Sequence, residues 1–118
     1  MTMQKMFIVG EKKYDKTTRE FKVTYEDGAS ATVGTSSTTV YSIPSGKTFY
    51  LRTLVVQSDV ANTIEILDGT TTKLKVTLTG AGSKEITNIK GLLFTDAVNA
   101  VATSGNAVVA VGGEVTEL

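Results

Sequence analysis

Apolar residues return at every second position along most of this chain, and that alternation restricts what it can fold into more than any other feature. In Phe21-Lys22-Val23-Thr24-Tyr25, extended backbone puts Phe21, Val23 and Tyr25 on one face and Lys22 and Thr24 on the other. Lys73 to Leu78 repeats the arrangement, with Leu74, Val76 and Leu78 inward. A period of two is the signature of a strand with one buried face, and the 3.6 period of an amphipathic helix is nearly absent. The branched residues Thr and Val, which fit a pleated surface, recur throughout. At 118 residues the chain is the size of one domain and can bury its own core.

Turn residues cut the pattern into short strands. Those expected are Val40–Ile43, Thr48–Gln57, Thr63–Leu67, Lys73–Leu78, Glu85–Ile89, Gly91–Phe94, Val98–Ala102 and Ala107–Val111, divided by Pro44-Ser45-Gly46, Asp68-Gly69, Thr79–Gly82 and Thr103–Asn106. Glu26-Asp27-Gly28 reads as a hairpin turn that returns along Ala29–Val33. Gly34–Thr39, small and hydroxyl-rich, reads as a hinge. The predicted fold is all-β: an antiparallel, jelly-roll-like β-sandwich over 35–118, preceded by an N-terminal strand and β-hairpin extension over 1–34. Its expected core is Val40, Ile43, Phe49, Leu51, Leu54, Val56, Ile64, Ile66, Leu74, Val76, Leu78, Ile86, Leu93, Val98, Val101, Val109 and Val111.

Chemistry is narrowed by what the sequence lacks. Without Cys or His there is no disulfide, no thiolate or imidazole metal set, and no Ser-His or Cys-His couple. Gly46-Lys47-Thr48 ends like a phosphate-binding loop, but Tyr41 stands where that motif needs its first Gly, and a strand follows instead of a helix. The carboxylates are scattered, there is no Trp to stack a sugar, and no D-x-[DN]-x-[DN]-G calcium loop occurs. No catalytic residue, metal or cofactor is expected, and no enzyme. A net charge of zero gives no field to steer the chain to nucleic acid, and no apolar run approaches the length of a membrane helix. Residues 1–10 lack the apolar stretch of a signal peptide, so synthesis in the cytoplasm is expected.

The charges that cancel overall are segregated. Residues 1–22 carry a net +3 and residues 91–118 a net −3, so the two ends can attract each other within a chain or between copies. Arg52, between Leu51 and Thr53 on an apolar strand, either covers its neighbours with its stem or forms an ion pair across a subunit interface. Phe7 and Ile8 precede the charged stretch 11–16 and either pack on their own domain or pair with a neighbouring subunit. With Phe21, Val23 and Tyr25, these are the candidate interface residues.

The stretch Thr38-Thr-Val-Tyr-Ser-Ile-Pro-Ser-Gly-Lys-Thr-Phe-Tyr-Leu-Arg-Thr-Leu-Val-Val-Gln57 resembles small β-sandwich proteins of tailed bacteriophage virions. There a Val-Tyr-x-Val/Ile-Pro-x-Gly-Lys-Thr segment opens a jelly-roll-like sandwich. The likeness continues through Ile64–Gly69, the loop Gly80–Gly82 and the closing Asn106–Gly113. It implies a capsid decoration (cement) protein, a homotrimer that binds the lattice of the major capsid protein. A tail or fibre component is the alternative, and a carbohydrate-binding or adhesion module a more distant one.

Overall fold

The computed structural model describes residues 11–15 and 20–117, with side chains from residue 24 onward. Ten strands follow one another: β1 (Glu11–Asp15), β2 (Glu20–Val33), β3 (Thr38–Ser42), β4 (Lys47–Ser58), β5 (Asn62–Asp68), β6 (Thr71–Leu78), β7 (Gly82–Ile86), β8 (Leu92–Phe94), β9 (Ala97–Ala102) and β10 (Ala107–Glu117). No helix occurs among the described residues. The strands form a six-stranded sheet, ordered β1-β2-β10-β4-β7 with β8 also on β4, and a four-stranded sheet ordered β3-β9-β5-β6.

The antiparallel pairs β2·β10, β3·β9, β4·β7 and β5·β6 are nested in sequence like the rungs of one long ribbon. Wrapping that ribbon so that successive pairs fall in alternate sheets produces a jelly roll. The expected β-sandwich is the fold observed.

Between the sheets lies one core, in which Val33, Phe49, Leu51, Leu54, Val56, Ile64, Ile66, Phe94, Val98 and Val109 are fully buried. Burying each such side chain contributes roughly 1.5–3 kcal/mol. Two expected core positions point the other way. Leu93 is 38% exposed and its neighbour Phe94 is buried instead, because adjacent residues of a strand face opposite sides and only one of the pair can enter the core. Val101 alternates outward in β9 while Val98, Ala100 and Ala102 face in; residues three apart cannot share a face of a regular strand.

The expected turn at Glu26-Asp27-Gly28 does not form. These residues lie inside the unbroken strand β2, whose segment from Thr24 to Val33 is paired with β10 from Thr116 to Ala107. The reason is steric. Gly28 stands opposite Gly112, and a Cβ on Gly28 would lie 2.5 Å from the Val111 carbonyl oxygen. Glycine therefore serves close strand approach here and not chain reversal. The hairpin of this region is β1·β2, with Tyr14 opposite Phe21. Gly34 directly follows the end of β2, and its carbonyl accepts a hydrogen bond from the Ala102 amide at 2.8 Å. Likewise β10 runs past Gly112-Gly113 to Glu117, where the sequence predicted a strand end.

Candidate functional site

β10 is the centre of the six-stranded sheet, flanked by β2 and β4, and its middle is the pair Gly112-Gly113. The register against β4 jumps there: Gly112 faces Thr53 and Gly113 faces Leu51, leaving Arg52 as the extra residue of a β-bulge. The bulge turns both Arg52 and Thr53 outward and returns Leu54 to the core after Leu51, so the inward positions read Leu51, Leu54, Val56. A Cβ on Gly113 would lie 2.0 Å from the Tyr50 carbonyl oxygen, so β10 and β4 can approach this closely only through glycine.

Beside Gly112, which carries no side chain, lies a hollow of about 430 Å³ lined by Glu26, Asp27, Arg52, Thr53, Gly112 and Gly113. The Arg52 guanidinium lies 3.7 Å from a Glu114 carboxylate oxygen, with the Arg52 side chain 51% exposed. Such a surface pair contributes little to stability, and its half-open guanidinium keeps donors for a further acceptor. The hollow presents carboxylates and one guanidinium but no nucleophile beside a base. Among the described residues no cluster of three carboxylates is gathered to hold a metal.

Asp27, itself exposed, also links the two sheets. Its carboxylate accepts a 2.8 Å hydrogen bond from the Tyr41 hydroxyl of β3. The Tyr41 ring packs on Phe49 with centroids 4.6 Å apart. Burial first, then the hydrogen bond and negative charge of Asp27, and lastly Tyr25 push the Tyr41 hydroxyl well above the ordinary tyrosine range.

Two further polar clusters close the sandwich edges. Asp68, at the end of β5, accepts from the Thr95 amide at 3.1 Å, the Thr95 hydroxyl at 3.3 Å and the Asp96 amide at 2.8 Å, pinning the β8–β9 turn. Burial alone would raise its pKa, but these bonds and one from the Ala97 amide together hold it below the ordinary carboxylate value. Buried Asn62 does similar work for the β9–β10 loop. Its Oδ1 accepts from the Thr103 amide at 3.1 Å and the Ser104 amide at 2.9 Å, and its Nδ2 donates to Ser58 and to the Ser104 carbonyl.

Of the candidate interface residues, Phe7 and Ile8 lie outside the described residues. Phe21 and Val23 are placed by backbone register alone, opposite Tyr14 and Lys12 of β1. Tyr25 packs against the core of its own sandwich, and Arg52 stands on the outer face of the six-stranded sheet. The structure does not gather these residues into one patch. Sequence reasoning missed Glu114 as the partner of Arg52 and Gly28 as the partner of Gly112, because pairs this far apart in the chain leave no local signal.

Comparison with family models and with curated proteins finds no match. Two solved structures are similar in part. A protein of the disulfide-linked pili that form Bacillus endospore appendages aligns with TM-score 0.44 and 14% identity over 81% of this chain and 88% of that one. The Dit protein of phage SPP1, from the hub adsorption apparatus of phages infecting Gram-positive hosts, aligns with TM-score 0.43 and 13% identity over 80% of this chain and 48% of that one. This chain thus spans about half the length of the Dit protein. Likeness at this level carries neither the fold nor a role, and both rest on the strand pairing and residues described above.

Proposed function

We propose that this chain is a non-enzymatic structural protein of a tailed-phage virion, a capsid decoration protein that binds the major capsid protein lattice as a homotrimer. The observation that carries this reading is the kind of surface the fold offers. A jelly roll with a largely apolar core presents a broad outer sheet face of small, mostly uncharged side chains, Thr32, Val108, Ser30, Ala110 and Val55 among them, beside a hollow. That is the surface of a part that packs against other protein. The stretch 38–57 that resembles phage virion proteins supplies β3, the Pro44–Lys47 turn and most of β4, one element in each sheet. A trimer suits the three-fold positions of an icosahedral lattice. The protein would be made in the host cytoplasm and carried on the virion, with no nucleic acid, membrane or cofactor needed. Imaging of the parent particle with antibody against this chain tests the proposal. Label distributed over the head supports it, label on the tail moves the protein to the alternative role, and particles without label overturn both.

A further inference from the structure

One edge of β2 is covered over only part of its length. β1 pairs with it from Glu20 to Thr24, in a register that sets Asp15 opposite Glu20 and Glu11 opposite Thr24. From Tyr25 to Val33 no described strand pairs with that side, while β10 pairs with the other side. β3, the next strand in sequence, belongs to the other sheet and is paired with β9. The uncovered edge is about 30 Å of extended backbone. It carries no Pro or Lys, and its two charges, Glu26 and Asp27, sit at one end. A long plain edge of this kind invites another strand. We propose that residues 2–10 of the same chain prolong β1 along this edge and close it.

The backbone of β2 is set to receive them. Alternate residues of an antiparallel strand aim their N–H and C=O groups at opposite neighbours. The Val111 carbonyl oxygen is aimed at β2, since a Cβ on Gly28 would lie 2.5 Å from it, so Ala29 with Val111 is a hydrogen-bonded pair and Gly28 with Gly112 is not. Accordingly, the Gly28 amide donates to the Asp27 carboxylate at 2.9 Å. By the same alternation, Glu26, Ser30 and Thr32 turn their backbone groups to the uncovered side.

The occupant follows from where β1 begins. Glu11 already stands opposite Thr24, so the residue before it enters the lane beside Tyr25 with no linker, and residues 2–10 match positions 25–33 one for one. A strand from another chain would first have to displace them. Continuing the register sets Phe7 opposite Gly28 and Met6 opposite Ala29. Opposite residues share a face. Phe7 therefore falls on the outer face, across from the one position of β2 without a side chain, where an aromatic residue compensates for glycine. Met6 and Ile8 fall on the inner face with Tyr25, Ala29 and Ala31, which pack against the core yet are only half-buried. With this edge closed, β2 is an interior strand, and other proteins are met by the sheet faces or by other edges. The pairing does not depend on the virion reading, since it concerns one chain alone.

The test uses the purified full chain. The sequence has no Cys, so Met6→Cys with Ala29→Cys supplies the only two thiols. They occupy a non-hydrogen-bonded pair, where Cα atoms about 4.5 Å apart allow a disulfide. Mild oxidation should give an intrachain disulfide at least about tenfold faster than in Met6→Cys with Thr32→Cys, whose thiols lie three positions out of register on opposite faces. Circular dichroism melts establish that each variant is folded. As a second measurement, hydrogen exchange in the unaltered chain should show the Glu26, Ser30 and Thr32 amides protected like those of Ala29 and Ala31. Lys5→Pro, which removes the amide facing Ser30, should speed exchange at Ser30 at least about tenfold and spare Ala29 and Ala31. Disulfides that join two chains would hand the edge to a neighbour's segment and overturn the proposal. Equal oxidation of the two pairs, or unprotected amides at Glu26, Ser30 and Thr32, would also overturn it.

Discussion

Substituting Gly113 by Ala tests the argument that glycine sets the spacing at the centre of the six-stranded sheet. The added Cβ would lie 2.0 Å from the Tyr50 carbonyl oxygen and 2.9 Å from Phe49 Cζ, whereas ordinary contact begins at 3.4 Å. To relieve the backbone clash, β10 and β4 must part by more than an ångström at the bulge. That stretches the neighbouring ladder hydrogen bonds past useful length in the most extensively paired part of the fold. Losing about two such bonds in a buried setting, with the strain of overpacking, should cost about 2–4 kcal/mol. With a urea slope of about 1.5 kcal/mol per molar for a chain of this size, the unfolding midpoint should fall by about 1.3–2.7 M at unchanged slope. Gly80→Ala is the control, since nothing lies within 4 Å of a Cβ there, and it should change stability by no more than about 0.5 kcal/mol. A Gly113→Ala midpoint as high as that of Gly80→Ala would refute the steric reasoning.

Three other outcomes follow from the polar contacts and the strand order. Tyr41→Phe keeps the ring on Phe49 but removes the bond to Asp27, and should cost about 1–2 kcal/mol at neutral pH. Because the Tyr41 hydroxyl pKa is raised above the ordinary tyrosine value of 10.0, its contribution is complete below pH 10.0 and declines as pH rises past it, so the gap between wild type and variant in urea titrations should narrow in alkali; an unchanged gap would remove Tyr41 as the cause. Asp68 has a lowered pKa, so its contribution is present above 3.8 and is lost as pH falls below that; Asp68→Asn should flatten the acid limb of the stability curve, and an unaltered limb would count against the turn-pinning role. Deleting residues 1–34 removes β2 from beside β10 together with the buried Val33, and the truncated chain should lose its cooperative thermal transition; a sharp calorimetric peak would instead show that 35–118 folds alone as a domain.

By itself the sequence determined that this chain is a sandwich of short strands, and it located most of the breaks between them. Alternation acts within a few residues, so Leu74, Val76 and Leu78 share a face whatever else the chain does, and Pro44–Gly46 and Asp68-Gly69 turn the chain for local reasons. What only the tertiary structure decided is who pairs with whom. Asp27-Gly28 is a good turn signal in isolation, yet Gly112 opposite it offers a close-packed ladder, and continuous pairing with β10 prevails over the local preference. Arg52 breaks the alternation of β4 because the crowding of Gly113 against Tyr50 places a bulge there, and its pairing with Glu114 exists only once β10 has closed the sheet. The faces of Leu93 and Phe94 were likewise assigned by register against Tyr50 and Phe49, since a one-residue slip exchanges the two faces of a strand and a three-residue strand is too short to fix its own.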